Sequence, residues 1–326
     1  MIWFLIALAL VFAFLNGYRD ATSIIAGVVA SRALPPRLAL TLSGLAEFIA
    51  PFIFGVAVAR TLTTGLVDPQ AVTITTITIA MMSALAWTLF TWVRGIPSSS
   101  SHALVGGLLG AVIVVDGPQG IIASGLIKVL VPLFLAPPIG MAVGYLVMIL
   151  ILAAFQNARP SINNLFRQLQ MATMIGLALS HSSNDAQKSM GIITLGLLLA
   201  GRIPTFKVPL YVIGLCAAAI AIGASQGDWR LLRTLGGKMY PIRPVNALAS
   251  QTASALVIMV SSIVGAPVST SQVISMSLLG SGAAERVNKV RWQIGVEMLW
   301  TWVLTIPATM TLAALMFAFV RLIART

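Results

Sequence analysis

Between residues 2 and 320 the chain is built almost entirely of apolar runs, each near the length at which a helix crosses a bilayer. The runs are 2–31, 38–59, 73–93, 121–136, 138–155, 171–200, 208–224, 245–263 and 292–320, against the roughly 20 apolar residues a spanning helix needs. Such segments are confined to helices, because in hydrocarbon every backbone N–H and C=O must be satisfied within its own segment. Only 9% of the residues are charged, where a soluble domain has about 25%, so an ordinary water-facing surface cannot be covered. The same hydrophobicity excludes a disordered chain. The expected fold is an all-α polytopic membrane protein, multi-pass in a cell (inner) membrane.

A net charge of +12 would suggest nucleic acid in a soluble protein. Here the basic residues fall in short connections between apolar runs, as the positive-inside rule expects, and no nucleic-acid partner is implied. One face would collect Arg32, Arg37, Arg94, Arg159, Arg167, Arg230, Arg233, Lys238 and Arg243; the other, Arg60, Arg202, Lys207, Arg286, Lys289 and Arg291. The balance puts the first set in the cytoplasm. The single cysteine, Cys216, lies in an apolar run and reads as packing. The run 2–15 has no basic leader and no cleavage pattern, so it is read as part of the fold rather than as a signal peptide.

The chain repeats itself. Gly95-Ile-Pro-Ser-Ser-Ser-Ser-His102 returns as Gly265-Ala-Pro-Val-Ser-Thr-Ser-Gln272, and Arg19-Asp20-Ala21 returns as Asn184-Asp185-Ala186, in the same order. The expected organisation is a first transmembrane repeat (1–155), a polar connecting loop (156–170) and a second repeat (171–326). Segments 98–115 and 268–283 are short, open near a Pro, and read as re-entrant hairpins. Runs 2–31 and 171–200 read as helices broken near 16–20 and 181–185. Internal repeats with interrupted segments at matching places are the mark of secondary transporters, whose sites lie at the repeat interface. An odd number of crossings per half makes the repeats inverted.

Ionisable groups at membrane depth cost at least about 2.5–3.5 kcal/mol each on insertion scales, so they direct attention. Asp20, Glu47, Asp185 and Glu297 lie inside apolar runs, with Arg19, Lys128 and Lys188. Carboxylates beside freed carbonyls suit a hard cation such as Na⁺, or a proton carried on the carboxylate; structural pairs of Arg19 or Lys188 with a carboxylate are the alternative. The clusters Ser98, Ser99, Ser100, Ser101 and Ser269, Thr270, Ser271 each follow a Pro and open a helix of small residues. Amides at a helix start lack intrahelical acceptors and, with hydroxyls, make an anion site; caps and close packing are the alternative. His102 and His181 adjoin these motifs, as proton carriers or as structural hydrogen-bond groups, and two histidines do not make a zinc site. Lys128 and Glu297 occupy matching positions and are expected to pair. No nucleophile–base set is visible, so no enzyme is expected.

These motifs resemble those of the PiT family of inorganic phosphate transporters, in its short bacterial form, over essentially the whole chain. The resemblance rests on Asn16-Gly-Tyr-Arg-Asp-Ala21, Ser31-Arg-Ala-Leu-Pro35, Pro97-Ser-Ser-Ser-Ser-His-Ala103, Ser180-His-Ser-Ser-Asn-Asp-Ala-Gln-Lys-Ser-Met-Gly-Ile192, Pro267-Val-Ser-Thr-Ser271 and Trp302-Val-Leu-Thr-Ile-Pro307. It implies symport of phosphate with H⁺ or Na⁺, without a cofactor or bound metal. Phosphate is expected between Ser99, Ser100 and Ser101 and Ser269, Thr270 and Ser271, with Asn184 and Gln187. Asp20, Asp185, Asn184 and Glu47 are expected to handle the coupling cation or proton, with His102, His181, Arg19 and Lys188 as auxiliaries. The family usually has His or Asn at position 19, Asn at 23 and 47, Glu at 251 and His at 272, where this chain has Arg19, Ser23, Glu47, Gln251 and Gln272. The acid at 47 points to proton coupling. Protonated phosphate can donate to carboxylates and sulfate cannot, so Asp20 and Asp185 favour phosphate. A permease for sulfate or another oxyanion is the alternative, and a homo-oligomer is compatible with either.

Overall fold

The computed structural model describes residues 1–228, 243–290 and 292–323. Within them run eleven α-helices: α1 (Ile2–Ala30), α2 (Pro36–Ile53), α3 (Ala57–Leu62), α4 (Ile74–Arg94), α5 (Ser100–Asp116), α6 (Ala123–Ala154), α7 (Ile162–Leu199), α8 (Leu210–Gln226), α9 (Pro244–Ile263), α10 (Thr270–Glu285) and α11 (Trp292–Ile323). Helices α7 to α11 follow the order and approximate lengths of α1, α2, α4, α5 and α6, with no counterpart of α3 among the described residues. The repeated Gly-x-Pro text has one backbone meaning: Gly95 and Gly265 both take positive φ, 68° and 73°, the left-handed turn that ends a helix and that glycine adopts without a Cβ penalty.

Six helices are long and apolar enough to cross a membrane: α1, α2, α4, α6, α9 and residues Gly295–Ile323 of α11. Helix α7 is missing from that set for a physical reason. Every side chain from Ser180 to Leu197 is buried in protein, so this stretch meets no lipid and can carry Asn184, Asp185 and Lys188. The outward faces carry the apolar surface instead, for example Phe52, Leu146, Leu150, Trp300 and Phe319. Helices α1 and α2 pack against α7 and α8, while α5 packs on α11 and α10 on α6, so each half lends a helix to the other. Small residues permit this. A Cβ on Gly110 would lie 2.3 Å from the Met310 carbonyl oxygen, and one on Gly280 would lie 2.0 Å from that of Met141; close helix approach in membranes relies on such positions.

Several expectations need correction. The expected breaks near 16–20 and 181–185 are absent: α1 and α7 run through them as continuous helices. Gly17 serves packing, since a Cβ there would meet the Ile220 carbonyl oxygen at 2.1 Å. Ser183 donates to the Ser180 carbonyl at 2.8 Å within the intact helix. The interruption lies between α2 and α3, where Gly55 has φ 78°. Runs 121–136 and 138–155 are one helix, α6, that holds Pro132, Pro137 and Pro138 inside it; membrane helices tolerate Pro where neighbours and local adjustment re-satisfy the backbone. Segments 98–115 and 268–283 are each a single helix, and the hairpins are the pairs α4–α5 and α9–α10. Helix α7 begins at Ile162, inside the segment read as a loop. Lys128 and Glu297 both lie exposed, and no ion pair joins them among the described residues. Arg230, Arg233, Lys238 and Arg291 lie outside those residues.

Candidate functional site

Helix α7 supplies the axis of the site. His181, Asn184, Asp185 and Lys188 are spaced i, i+3, i+4, i+7 and share one face. Around them come Asp20 from α1, Glu47 from α2 and Thr270 from the first turn of α10. His181 Nε2 lies 3.5 Å from Asp20 Oδ2 and 4.0 Å from Asp185 Oδ2, and His181 Nδ1 lies 3.3 Å from Glu47 Oε1. Lys188 Nζ donates to Asp185 Oδ1 at 2.8 Å. The Thr270 hydroxyl is 3.1 Å from Asp185 Oδ1 and 3.5 Å from Asp20 Oδ2. Glu47, His181, Asp185 and Lys188 are fully buried. Asp20, His181 and Asp185 bring three ligand atoms within 4.8 Å of one another. A structural pair of Lys188 with Asp185 and a group of three atoms of cation-ligand type are thus both present, sharing Asp185.

The two helix starts meet beside this cluster. Ser101 Oγ donates to the Val268 carbonyl at 2.7 Å, so the serine end of α5 touches the turn before α10. Ser99 caps α5, accepting from the His102 amide at 3.3 Å. Ser269 holds the equivalent place on α10 and makes no side-chain cap bond. Ser100 is buried and Ser271 half-buried. Arg19 Nη2 donates to the Ser98 carbonyl at 3.2 Å, which places a guanidinium at the head of α5. First-turn amides of two helices, serine and threonine hydroxyls and an arginine therefore adjoin two aspartates from different halves. Helix starts favour anions and the carboxylates favour cations, and Thr270 belongs to both sets.

Two of the expected residues, Asn184 and Gln187, make structural hydrogen bonds as well. Asn184 donates to Ser262 Oγ and to the Ala266 carbonyl, both at 3.2 Å, and accepts from the Val268 amide at 3.3 Å; it fastens the turn that carries Thr270. Gln187 Oε1 accepts from the amides of Val58 and Ala59 at 2.8 and 3.3 Å, and its Nε2 donates to the Ser183 carbonyl at 2.5 Å. It caps the orphan amides that the break before α3 leaves inside the protein. His102 is buried, its ring edge-on to Phe134 at 5.3 Å, and among the described residues neither ring nitrogen has a hydrogen-bond partner. The buried amides of Asn16 and Gln272, Glu47 Oε2 and Asp185 Oδ2 are likewise unpartnered. Each such atom costs about 1–3 kcal/mol in a dry interior, so they mark places suited to water or a polar ligand. Nothing in the sequence pattern singles out one further buried acid, Asp228, beyond its being one of only eight acids. It sits in polar text outside every apolar run.

Fold and site together define a multi-pass membrane transport protein. A family model described as the phosphate transporter family matches residues 16–313, and the chain belongs to that family. A probable low-affinity inorganic phosphate transporter of Rhizobium meliloti (strain 1021) is 40% identical over 322 residues, covering 98% of this chain and 96% of the relative. One of the same description from Bacillus subtilis (strain 168) is 38% identical over 319 residues, covering 97% and 96%. The solved structure titled "The sodium-dependent phosphate transporter" has the same fold: TM-score 0.91 at 19% identity, covering 99% of both chains. Membership in a transporter family makes the chain a transporter rather than an enzyme.

Proposed function

We propose that this chain carries inorganic phosphate into the cell by symport with a cation, alternating access between two inverted repeats in the cell (inner) membrane. The observation that carries the reading is Thr270. It opens the helix whose free amides suit an anion, and its hydroxyl reaches the aspartates of both halves. Carboxylates outnumber the permanent cations Arg19 and Lys188 in the cluster, so an incoming anion is repelled until a cation or proton arrives. A ligand shifts a conformational equilibrium only through differential affinity; a cation that creates the anion site supplies it. Inversion is supported by the crossing count. The α4–α5 pair adds none or two, and α1, α2 and α6 add three, leaving an odd number. The basic set beginning with Arg32 and Arg37 is read as cytoplasmic.

The imidazole of His181 between Glu47 and Asp20 favours the proton as coupling ion, because it gives a proton two carboxylate partners along one line. The Asp20, Asp185 and Thr270 oxygens favour Na⁺ as the second reading. Uptake of labelled phosphate into proteoliposomes separates the two. Under an imposed pH gradient without sodium, uptake is expected, with little competition from sulfate, and Glu47→Gln lowers it about tenfold, the value of one charge-assisted contact. Uptake that follows sodium and ignores pH overturns proton coupling. Absence of accumulation under either gradient overturns symport.

A further inference from the structure

Outside the central cluster, Asp228 is a carboxylate 3% exposed, the first residue after Gly227, which ends α8 with φ 57°. Asp228 Oδ2 accepts from Trp92 Nε1 at 2.8 Å, and its backbone carbonyl accepts from the Thr22 hydroxyl at 3.3 Å. Thr22 stands two residues beyond Asp20 on α1. Trp92 lies in the last turn of α4, just before the glycine turn that leads into Ser98. The Trp92 ring meets Tyr18 edge-on, with centroids 6.0 Å apart and planes at 87°. The residue after Tyr18 is Arg19, which holds the Ser98 carbonyl, and Asp228 is among the carboxylates whose field acts on Arg19.

These contacts form a closed circuit: Asp228 to Trp92, through the α4–α5 turn to Ser98, from Ser98 to Arg19, and along α1 to Thr22 and back to Asp228. The circuit joins the second half of the chain to the first. A tie of this kind can serve stability alone. One feature gives it more: the circuit closes on Ser98, at the head of the helix whose first amides form half of the proposed anion site.

We propose that Asp228 is a positioning residue for the phosphate half of the site. Through Trp92 and Thr22 it fixes the α4–α5 turn against α1, so that the start of α5 and the Arg19 guanidinium stay in register with Thr270. The inference rests on reading that site as a phosphate site. It leaves Asp20, Asp185 and His181 untouched, so coupling-cation handling does not depend on it.

The test is initial-rate uptake in proteoliposomes at varied phosphate and varied coupling cation. Asp228→Ala and Trp92→Phe are each expected to raise the KM for phosphate about tenfold, the loss of one hydrogen bond to a charged group. Maximal rate, cation half-saturation and the yield of folded protein are expected to stay near those of the unaltered protein. The double variant shifts the KM no further than Asp228→Ala alone, because Trp92→Phe removes a contact that the alanine variant has already lost. Asp228→Asn keeps an acceptor oxygen for the indole and recovers most of the affinity. An unchanged KM with a fall in maximal rate or yield overturns the inference, as do additive single effects, or phosphate and cation constants that move together. Absence of uptake by the unaltered protein overturns the phosphate reading, and this inference with it.

Discussion

Replacing Asp20 by Asn lowers phosphate uptake about a hundredfold while the protein stays folded in the membrane. Asp20 is the carboxylate that α1 brings to His181 and Thr270. Two contacts to a charged group, each worth about 1.5–3 kcal/mol, put the loss at that size or beyond. The fold is expected to survive because, among the described residues, the basic side chain paired with Asp20 is His181 and no Lys or Arg is salt-bridged to it; its neighbour Arg19 turns to the Ser98 carbonyl. Uptake rate and thermal unfolding, measured on the same preparation, check both halves of the expectation. Unchanged uptake by the Asn variant removes Asp20 from the mechanism.

Asp185 behaves differently, because it neutralises Lys188. Asp185→Asn leaves a fully buried ammonium without its partner, and breaking a buried pair from one side costs about 3–5 kcal/mol. This variant is therefore expected to lose both uptake and stability. Adding Lys188→Met, close in volume to the lysine stem, removes the stranded charge. Replacing both members of such a pair by uncharged groups is often neutral or stabilising. The double variant is expected to unfold near the temperature of the unaltered protein and still not transport phosphate. Recovery of uptake together with stability would show that Asp185 serves Lys188 alone. Failure to recover stability would show that Lys188 is held by more than this pair.

Much of this was legible before any coordinates. Apolar run length marked the lipid-facing helices, and the duplicated Gly-x-Pro-Ser text marked both hairpin turns, because only a left-handed glycine followed by Pro turns a helix end so sharply. Asp20 and Asp185 stood out because an acid inside an apolar run is expensive. Residues whose meaning depends on a distant partner were not legible. Gly17 and Ser182 look like helix breakers locally. In the fold one admits the α8 backbone, and the other donates to the Glu47 carbonyl at 2.7 Å. Gln187 looks like part of a binding motif, yet its partners are amides on α3. Asp228 looks like loop text, yet it is buried against Trp92. Lys128 and Glu297 match in register along the sequence, but both lie exposed, and matching places in a sequence repeat need not touch.

The central claim is that the two halves contribute to one anion site, at the meeting of the α5 and α10 helix starts beside Asp20 and Asp185. Arsenate has the shape and protonation chemistry of phosphate and scatters X-rays anomalously, so its position in a crystal of this protein locates that site directly. The predicted result is one anomalous peak within hydrogen-bonding reach of Thr270 and of the first-turn amides of α5. A peak confined to one half, or lying away from both helix starts, contradicts it.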